Sequence, residues 1–303
     1  MIRTVLGDIE PKLLGRTLAH EHFIIDLDRI RKDGVSRIDT VEEVLPEIRE
    51  MMRDGITGAI EVSTIDLGRD VRKLREISQT TGLHIVASTG YYLSAYHPQA
   101  LGNAVPEEIA EVFEGELLEG IGDTGIRAGI IAEIASGPNG FEGQEKKVLT
   151  AAGIAGKRTG AAVSTHTGRK TAIETIETLL AQGMDPDKII LGHQDLIDDH
   201  AYHLSLLGYG VNIAFDTCGK SAYMPDEVRA RNILSLIEAG YGDHLVLSND
   251  VSRRAYFTCA GGPGYLAVMR SVVPLLYRMG ASDADVDKLL IHNPARIVSN
   301  DWR

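Results

Sequence analysis

Short apolar runs rich in β-branched residues alternate along this chain with longer segments whose apolar residues recur at helical spacing. The short runs predict strands and the longer segments predict amphipathic helices. The predicted strands lie near residues 14–22, 56–64, 84–91, 128–135, 161–167, 188–194, 210–217 and 244–250. The predicted helices lie near residues 40–53, 69–80, 106–120, 142–159, 171–182, 198–207, 225–239 and 264–279, and a final helical segment spans 283–299. This alternation is typical of a parallel sheet with crossover helices.

Eight strand–helix pairs without a break in composition predict an α/β fold, a (β/α)₈ TIM barrel with a C-terminal helical extension. We expect residues 1–303 to form a single domain. The alternative is a doubly wound open sheet, which should carry a glycine-rich nucleotide-binding turn after its first strand. In this chain that position reads HEHFIID, so the closed barrel is favoured.

Composition and charge narrow the classes of partner. The 303 residues are 44% hydrophobic and 24% charged, as expected for a soluble protein with a large core. A formal net charge of −12 argues against nucleic-acid and anionic-membrane partners, so we expect a small-molecule substrate. No apolar run approaches the roughly 18 residues of a membrane span, and the first residues are not those of a signal peptide. We therefore expect a cytoplasmic protein, and a homodimer is compatible with these features.

Two histidines at the end of the first predicted strand are the most informative residues. His20 and His22 lie two positions apart, so in a strand they share one face. Neutral imidazole is a common ligand for zinc and related ions, and two imidazoles on one strand form half of a metal site. An isolated pair of this kind is also found where one histidine is buried and the other is exposed. The later strands decide between these interpretations.

Ionisable residues also stand at the ends of four later predicted strands. In a TIM barrel these ends surround one mouth, where the active site is built. The residues are Glu133 on the fourth strand, His166 on the fifth, His193 and Asp195 on the sixth, and Asp250 on the eighth. Any one of them could instead cap a helix or bond a backbone group. Together with His20 and His22, they predict a hydrolytic centre of two divalent transition-metal ions, with zinc expected and manganese or cobalt as alternatives.

The same residues lie in motifs that resemble the phosphotriesterase family of the amidohydrolase superfamily. The motifs run along the whole chain and read LGRTLAHEH, GIIAEI, STHT, GHQD, FDTCGK, SNDVSRR and VDKLLIHNPARI. The resemblance implies that His20, His22 and Asp250 bind the more buried ion. It also implies that the more exposed ion is bound by His166 and His193 and that Glu133 bridges the two.

Position 133 distinguishes two branches of that family. The phosphotriesterases and their lactonase relatives have a carboxylated lysine there, whereas the phosphotriesterase-homology, or phosphotriesterase-related, branch has glutamate. Glu133 and the motif TGYY are similar to the second branch. The resemblance therefore implies that phosphotriester hydrolysis is weak or absent.

Two ions at such a centre would share a bridging hydroxide and polarise the oxygen of the scissile group. Asp250 is the predicted catalytic residue, since it would accept the proton and pass it to the leaving group. The predicted reaction is hydrolysis of a lactone, an ester or an amide, and phosphoester hydrolysis is the alternative. Asp195 is predicted to bond the ligand His193 or to relay protons, and a helix cap is its alternative role.

Cationic and aromatic residues near the strand ends indicate the kind of substrate. Lys220 follows the seventh strand, and Arg253 and Arg254 follow the eighth. Cations at the mouth of an acidic protein predict capture of an anionic group, although many surface charges only pair with local acids. Tyr91 and Tyr92, at the end of the third strand, are predicted to line the pocket or to pack beside it.

Two other functional classes are compatible with such a site. One is a zinc-binding protein without catalytic activity, but structural zinc is usually enclosed by four protein ligands and commonly by cysteine, whereas this chain has only Cys218 and Cys259. The other is a metal-dependent isomerase or lyase that uses Asp250 to abstract a proton. Hydrolysis in ¹⁸O-labelled water separates a hydrolase from these enzymes, because only a hydrolase incorporates the label.

Overall fold

The computed structural model describes residues 1–302 and contains eight parallel strands with helices between them. The strands are β1 (Thr17–Glu21), β2 (Gly58–Glu61), β3 (His84–Thr89), β4 (Ile130–Ala135), β5 (Val163–His166), β6 (Ile189–Gly192), β7 (Asn212–Phe215) and β8 (Leu245–Leu247). The helices are α1 (Val41–Arg53), α2 (Val71–Thr81), α3 (Pro106–Leu118), α4 (Glu145–Thr159), α5 (Ala172–Ala181), α6 (His200–Leu207), α7 (Asp226–Glu238) and α8 (Val273–Met279). The predicted order of strands and helices is confirmed.

The eight strands form a nearly closed barrel. Each strand pairs in parallel with the next one along the chain, from β1 and β2 to β7 and β8. Within residues 1–302, β8 and β1 share no ladder. Their ends are tied instead by the His20 N–H, which donates to Ser248 Oγ (2.9 Å), and by the Asp250 N–H, which donates to the His20 carbonyl (3.3 Å). We call this junction between β8 and β1 the seam.

Apolar side chains fill the barrel and close its N-terminal end. The interior layer contains Ile60, Val86, Ile130, Ile190 and Val246, and the same cluster includes residues from both ends of the chain. These are Ile2, from an N-terminal hairpin (Ile2–Thr4 and Gly7–Ile9), and Ile297 and Val298. Polar chemistry is therefore confined to the opposite end, where the strands terminate. Every helix within residues 1–302 is too short or too polar to cross a lipid bilayer.

The C-terminal helical extension consists of α9 (Asp283–Asp287) and α10 (Asn293–Val298). The helices predicted at 264–279 and 283–299 each contain a π turn, at Val268–Val272 and Lys288–His292. Each turn ends two residues before a proline, Pro274 or Pro294. Proline lacks an N–H, and its ring crowds the carbonyl four residues earlier, so a wider turn accommodates it.

Candidate metal centre

The six predicted ligands come together at the C-terminal ends of the strands. His20 and His22 come from the end of β1, Glu133 from β4, His166 from β5, His193 from the residue after β6, and Asp250 from the segment after β8. Two sets of possible ligand atoms lie within 4.8 Å of one another, one from His20, Glu133 and His193 and one from His20, His22 and Asp250. A cavity of about 440 Å³ opens at these residues, which is a typical size for a small-molecule site.

Bulges in two strands direct the ligands inward. Between two consecutive pairings with β2, β1 has one residue more than its partner. The extra residue shifts the alternation of side chains, so Ala19 and His20 both face the barrel interior. His22 follows His20 on the same face. A bulge of the same kind in β4, at its pairing with β5, brings Glu133 to the centre of the mouth.

The Glu133 carboxylate lies between the imidazoles. Its Oε1 atom is 2.7 Å from Nδ1 of His166 and 3.3 Å from Nε2 of His193. The same atom is 3.4 Å from Nε2 of His20, and Oε2 is 3.8 Å from Nε2 of His22. One oxygen of the carboxylate thus faces three imidazoles, and the other oxygen faces the fourth.

Asp250 completes the group around His22. Its Oδ1 atom is 3.3 Å from Nε2 of His22, and its Oδ2 atom contacts the Lys220 ammonium. The backbones of Asp250 and His193 are left-handed, with φ of 49° and 59°. Residues other than glycine rarely adopt this conformation, and such residues are concentrated at functional sites.

Asp216 supports two of the ligands from behind, and the sequence interpretation did not select it. It follows β7 directly, is fully buried, and has its oxygens 2.9 Å from Nδ1 of His193 and 3.1 Å from Nδ1 of His20. It also accepts the backbone N–H of His193 at 3.0 Å. Such contacts fix the orientation of an imidazole and leave its other nitrogen free to bind a metal.

Glu61, at the end of β2, supports His22 through Ser63. The Ser63 hydroxyl donates to Glu61 Oε1 (2.7 Å), and its oxygen is 2.9 Å from Nδ1 of His22. Glu61 and Asp216 are both ionisable residues that end apolar strand segments, AIEV and IAFD. This criterion selected Glu133 and would have found them as well.

Positive groups around the carboxylates of this site lower their pKa values and so favour the ionised form, which binds cations. Burial raises the pKa of Glu133, but the charges of His20 and His166 and the hydrogen bonds from His166 and His193 together outweigh that effect and hold the pKa well below its usual range. Burial likewise opposes ionisation of Asp216 and Asp250, yet the imidazoles around the first and the Lys220 ammonium beside the second lower both pKa values. Nearby positive groups thus lower the pKa of all three carboxylates, and two of them, Glu133 and Asp216, are buried, where a charge requires positive partners.

The donor atoms fit divalent transition-metal ions. Within residues 1–302, Nε2 of His20 is buried and makes no hydrogen bond, although it faces the carboxylate of Glu133. Nδ1 of His166 and Nε2 of His193 face each other at 2.7 Å. Four imidazoles and two carboxylates are a donor set preferred by borderline ions such as zinc.

Asp195 has a partner other than the one predicted. It is fully buried, accepts Nε–H of Arg229 at 2.6 Å and accepts the backbone N–H of Thr217 at 3.3 Å. It therefore fixes the segment after β7 and does not bond His193, because the left-handed backbone at His193 breaks the alternation that the prediction assumed. Asp195 does not cap the following helix either, which was its alternative role, because Asp199 caps α6.

The two adjacent tyrosines after β3 occupy different places. Tyr91 packs against Phe113 of α3, with 5.7 Å between ring centroids, and does not line the cavity. Tyr92 lines the cavity, and its hydroxyl is 3.4 Å from Nδ1 of His166. The candidate for substrate contact is therefore Tyr92, in place of Tyr91.

The three predicted cations also separate. Arg254 forms ion pairs with Asp39 and Glu43 and lies outside the lining of the cavity, so its charge holds a loop in place. Arg253 and Lys220 both line the cavity. The predicted anion-binding role is thus compatible with two of the three cations and is not supported for Arg254.

Comparison with known proteins identifies the family. The model of the phosphotriesterase family matches residues 1–298. A phosphotriesterase homology protein from Escherichia coli (strain K12) is 35% identical, and the match covers 93% of this chain and 97% of the relative. An N-acetyltaurine hydrolase from Danio rerio is 29% identical, and the match covers 97% of each chain.

Solved structures share the whole fold. The crystal structure of the Escherichia coli phosphotriesterase homology protein, with phosphate in its active site, has a TM-score of 0.92 and 34% identity and covers 96% of this chain and 100% of that chain. A lactonase from Listeria monocytogenes has a TM-score of 0.93 and 27% identity and covers 98% of each chain. The family match extends over nearly all residues, and the donor cluster is in place at the mouth of the barrel. This chain therefore belongs to the phosphotriesterase family and is a metal-dependent hydrolase.

Proposed function

We propose that this protein is a binuclear hydrolase that attacks the carbonyl group of a small anionic substrate, such as a lactone, an ester or an amide. The observation that carries the proposal is the position of Glu133, whose two oxygens face different imidazoles. A carboxylate in that position suits two ions a few ångströms apart better than one.

The ligands divide into two groups around Glu133. His20, His22 and Asp250, whose donor atoms lie within 4.8 Å of one another, would hold one ion. His166 and His193, which both face Oε1 of Glu133, would hold the other, and Glu133 would contact both ions. We expect zinc, with manganese or cobalt as replacements. When bound, the ions would supply a nucleophile from water at neutral pH and polarise the carbonyl oxygen of the substrate.

The side chains of the protein would move the proton and orient the groups. Asp250 lines the cavity with its carboxylate beside His22, so it is placed to accept a proton from a nucleophilic water there. It would then pass that proton to the leaving group. The Tyr92 hydroxyl, beside His166, is in reach of a substrate oxygen in the cavity.

Arg253 is the residue best placed to bind an anionic group of the substrate. It lines the cavity, its guanidinium is 5.4 Å from the ring centroid of Tyr256, and its Nε has no hydrogen-bond partner within residues 1–302. An unpaired guanidinium at a cavity wall suits bidentate binding of a carboxylate, sulfonate or phosphate. Apolar residues such as Leu67 and Ile197 line other parts of the cavity and would contact the carbon skeleton.

The names of two relatives support a carbonyl substrate. The Danio rerio relative is named for N-acetyltaurine, which is an amide that carries a sulfonate, and the Listeria monocytogenes protein is a lactonase. Each of these compounds contains a carbonyl carbon that water can attack. The free Arg253 makes an anionic amide or an anionic lactone the preferred class for this protein.

A phosphoester is the second candidate substrate. The specific observation in its favour is the phosphate in the active site of the Escherichia coli relative. Phosphate resembles the product of phosphoester hydrolysis, but it also resembles an anionic tail bound beside the metals.

Two measurements test the proposal. Elemental analysis of protein purified without chelator should give about two transition-metal ions per chain, as a binuclear site requires. The metal-loaded protein should then be assayed with N-acyl sulfonates, N-acyl amino acids, anionic lactones and phosphoesters. We expect turnover of an anionic carbonyl compound with incorporation of ¹⁸O from labelled water. A protein that takes up no metal when zinc, manganese or cobalt is added would contradict the metal centre, and turnover of phosphoesters alone would select the second candidate.

A further inference from the structure

We propose that Glu21 is a positioning residue that fixes Asp250 across the seam between β8 and β1. The inference rests on the proposed metal centre, in which His20, His22 and Asp250 share one ion. These ligands come from the two strand ends that share no ladder in the part of the chain that the structure describes. Their relative positions therefore depend on the groups that tie the seam.

Glu21 supplies most of those ties. It is fully buried, and its Oε1 atom accepts the Ser248 hydroxyl at 2.8 Å. The same oxygen accepts the backbone N–H of Asn249 at 2.7 Å and its side-chain N–H at 3.0 Å. Oε2 accepts the backbone N–H of Val251 at 3.1 Å. All four donors belong to one segment, Ser248–Val251, which follows β8 directly.

The two oxygens hold the residues on either side of Asp250. Oε1 binds the N–H that precedes it, at Asn249, and Oε2 binds the N–H that follows it, at Val251. Asp250 itself has the left-handed backbone, with φ of 49°. Aspartate visits this conformation only as a minority state, so contacts on both sides are needed to make it the dominant one.

The same carboxylate is linked to the first histidine. Ser248 Oγ accepts the backbone N–H of His20 (2.9 Å) while its hydroxyl donates to Glu21. Glu21 is thus linked through Ser248 to the backbone of His20, and directly to the backbone on both sides of Asp250. We infer that Glu21 sets the distance between them.

The Glu21→Gln variant tests this role with little change of shape. In either orientation the amide N–H₂ faces a donor group, Ser248 and Asn249 on one side or Val251 on the other, so at least one contact is lost. We expect kcat to fall by about tenfold to a hundredfold, because small displacements of a reacting group have effects of this size. KM should remain within about threefold, since the cavity wall that binds substrate is unchanged.

Glu47→Gln is the matched control. Glu47 lies on α1, is 3% exposed, and accepts the backbone N–H (2.9 Å) and hydroxyl (2.6 Å) of Thr258. It is therefore a buried carboxylate that holds a loop, as Glu21 is, but it makes no contact with Ser248–Val251. Oε2 of Glu47 has no hydrogen-bond partner within residues 1–302, so the glutamine can keep the contacts with Thr258 and the variant removes a buried charge without removing a bond. A purely stabilising role for Glu21 predicts that Glu21→Gln loses thermal stability and keeps kcat.

Two measurements need no substrate, so they test the role of Glu21 even if the proposed substrate is wrong. Cobalt-loaded Glu21→Gln protein should show a changed visible absorption spectrum and at least tenfold weaker metal binding in a chelator competition, whereas Glu47→Gln should match the wild type. In an Asp250→Asn background, Glu21→Gln should add little further loss of metal affinity, because residues that act through one another are not additive. These measurements remain informative even if none of the tested compounds is hydrolysed.

The inference is overturned if Glu21→Gln keeps the wild-type cobalt spectrum, metal affinity and kcat, whether or not it loses stability. It is also overturned if its effect on metal affinity adds fully to that of Asp250→Asn. If the glutamine variant does not fold, Glu21→Asp replaces it, since a side chain one methylene shorter cannot hold both Asn249 and Val251. The same three readouts and the same criteria then apply.

Discussion

At the scale of single residues, two neighbouring arginines after β8 have different surroundings. Arg253 lines the cavity, and its buried Nε has no hydrogen-bond partner among residues 1–302, whereas Arg254 pairs with Asp39 and Glu43. We predict that Arg253→Ala raises KM by about tenfold to a hundredfold, the loss expected for one charge-assisted hydrogen bond or pair, and changes kcat less. Steady-state kinetics on a verified substrate measure this. Arg254→Ala is the control and should leave KM unchanged; equal increases in both variants would refute the assignment.

The proposed bridging role of Glu133 predicts that this residue decides whether a second ion binds. The Glu133→Gln variant should lose at least one ion, because a neutral amide does not offset two dications at close range. Metal content per chain, with the exposed Glu142→Gln as the control, is the measurement. β4 contains no lysine that could be carboxylated, so wild-type activity should not respond to added bicarbonate. Full metal content in Glu133→Gln protein would contradict the bridging role.

Residue type and place in the pattern were sufficient to select six residues that meet at the mouth of the barrel, since an ionisable side chain in an apolar strand is costly to bury unless a cation or a polar group pairs with it. The sequence did not show which of two adjacent residues of the same type faces the cavity. Tyr91 and Tyr92 follow the same strand, and which of them faces the cavity depends on backbone dihedral angles after β3. Arg253 and Arg254 differ only in whether a carboxylate from another segment is nearby. These outcomes depend on contacts between distant parts of the chain.

At the scale of elements, Arg229 joins β6, β7 and α7. It is fully buried and bonds Asp195 at 2.6 Å and Asp226 at 2.9 Å. Arg229→Met should lower the free energy of unfolding by about 3–5 kcal/mol, because removal of one partner leaves buried carboxylates unpaired. Urea unfolding followed by circular dichroism measures the change.

A matched control lies two residues further along α7. Arg231 pairs with Asp198 at 2.8 Å, but both side chains are about half exposed. Arg231→Met should therefore cost about 0–1 kcal/mol. Similar losses in the two variants would show that burial is not what makes the Arg229 network stabilising.

The order of strands and helices could be predicted because each has its own hydrophobic period, but the departures from regularity could not. The bulges in β1 and β4 are local changes of register, and the apolar runs that predict these strands do not show where the extra residue lies. The seam was also not foreseen, because β8 has a strand-like sequence whether or not it completes a ladder with β1. Asp195 is an example. The prediction that it bonds His193 assumed a regular strand end, but His193 has a left-handed backbone and Asp195 bonds Arg229 instead.

At the scale of the whole molecule, the site concentrates negative charge within an already acidic protein. The net charge is −12, and three carboxylates at the mouth of the barrel have lowered pKa values. Removal of bound ions by a chelator should therefore lower the thermal midpoint, and added zinc should restore it. A free zinc concentration a hundredfold above Kd corresponds to about 2.7 kcal/mol of stabilisation. Differential scanning calorimetry with and without chelator decides this, and an unchanged midpoint in protein stripped of metal would contradict it.

If the proposed ion is held across the seam, metal binding and closure of the barrel are thermodynamically coupled. Seven neighbouring strand pairs share ladders, whereas β8 and β1 are joined by side chains and one backbone hydrogen bond of 3.3 Å. An ion held by His20, His22 and Asp250 would join the same two strand ends. Thermodynamic linkage is reciprocal: if loss of the ion favours opening of the seam by a given free energy, opening the seam must weaken ion binding by the same free energy. Amide exchange at residues 248–251 would then report metal occupancy, although none of these amides touches a metal.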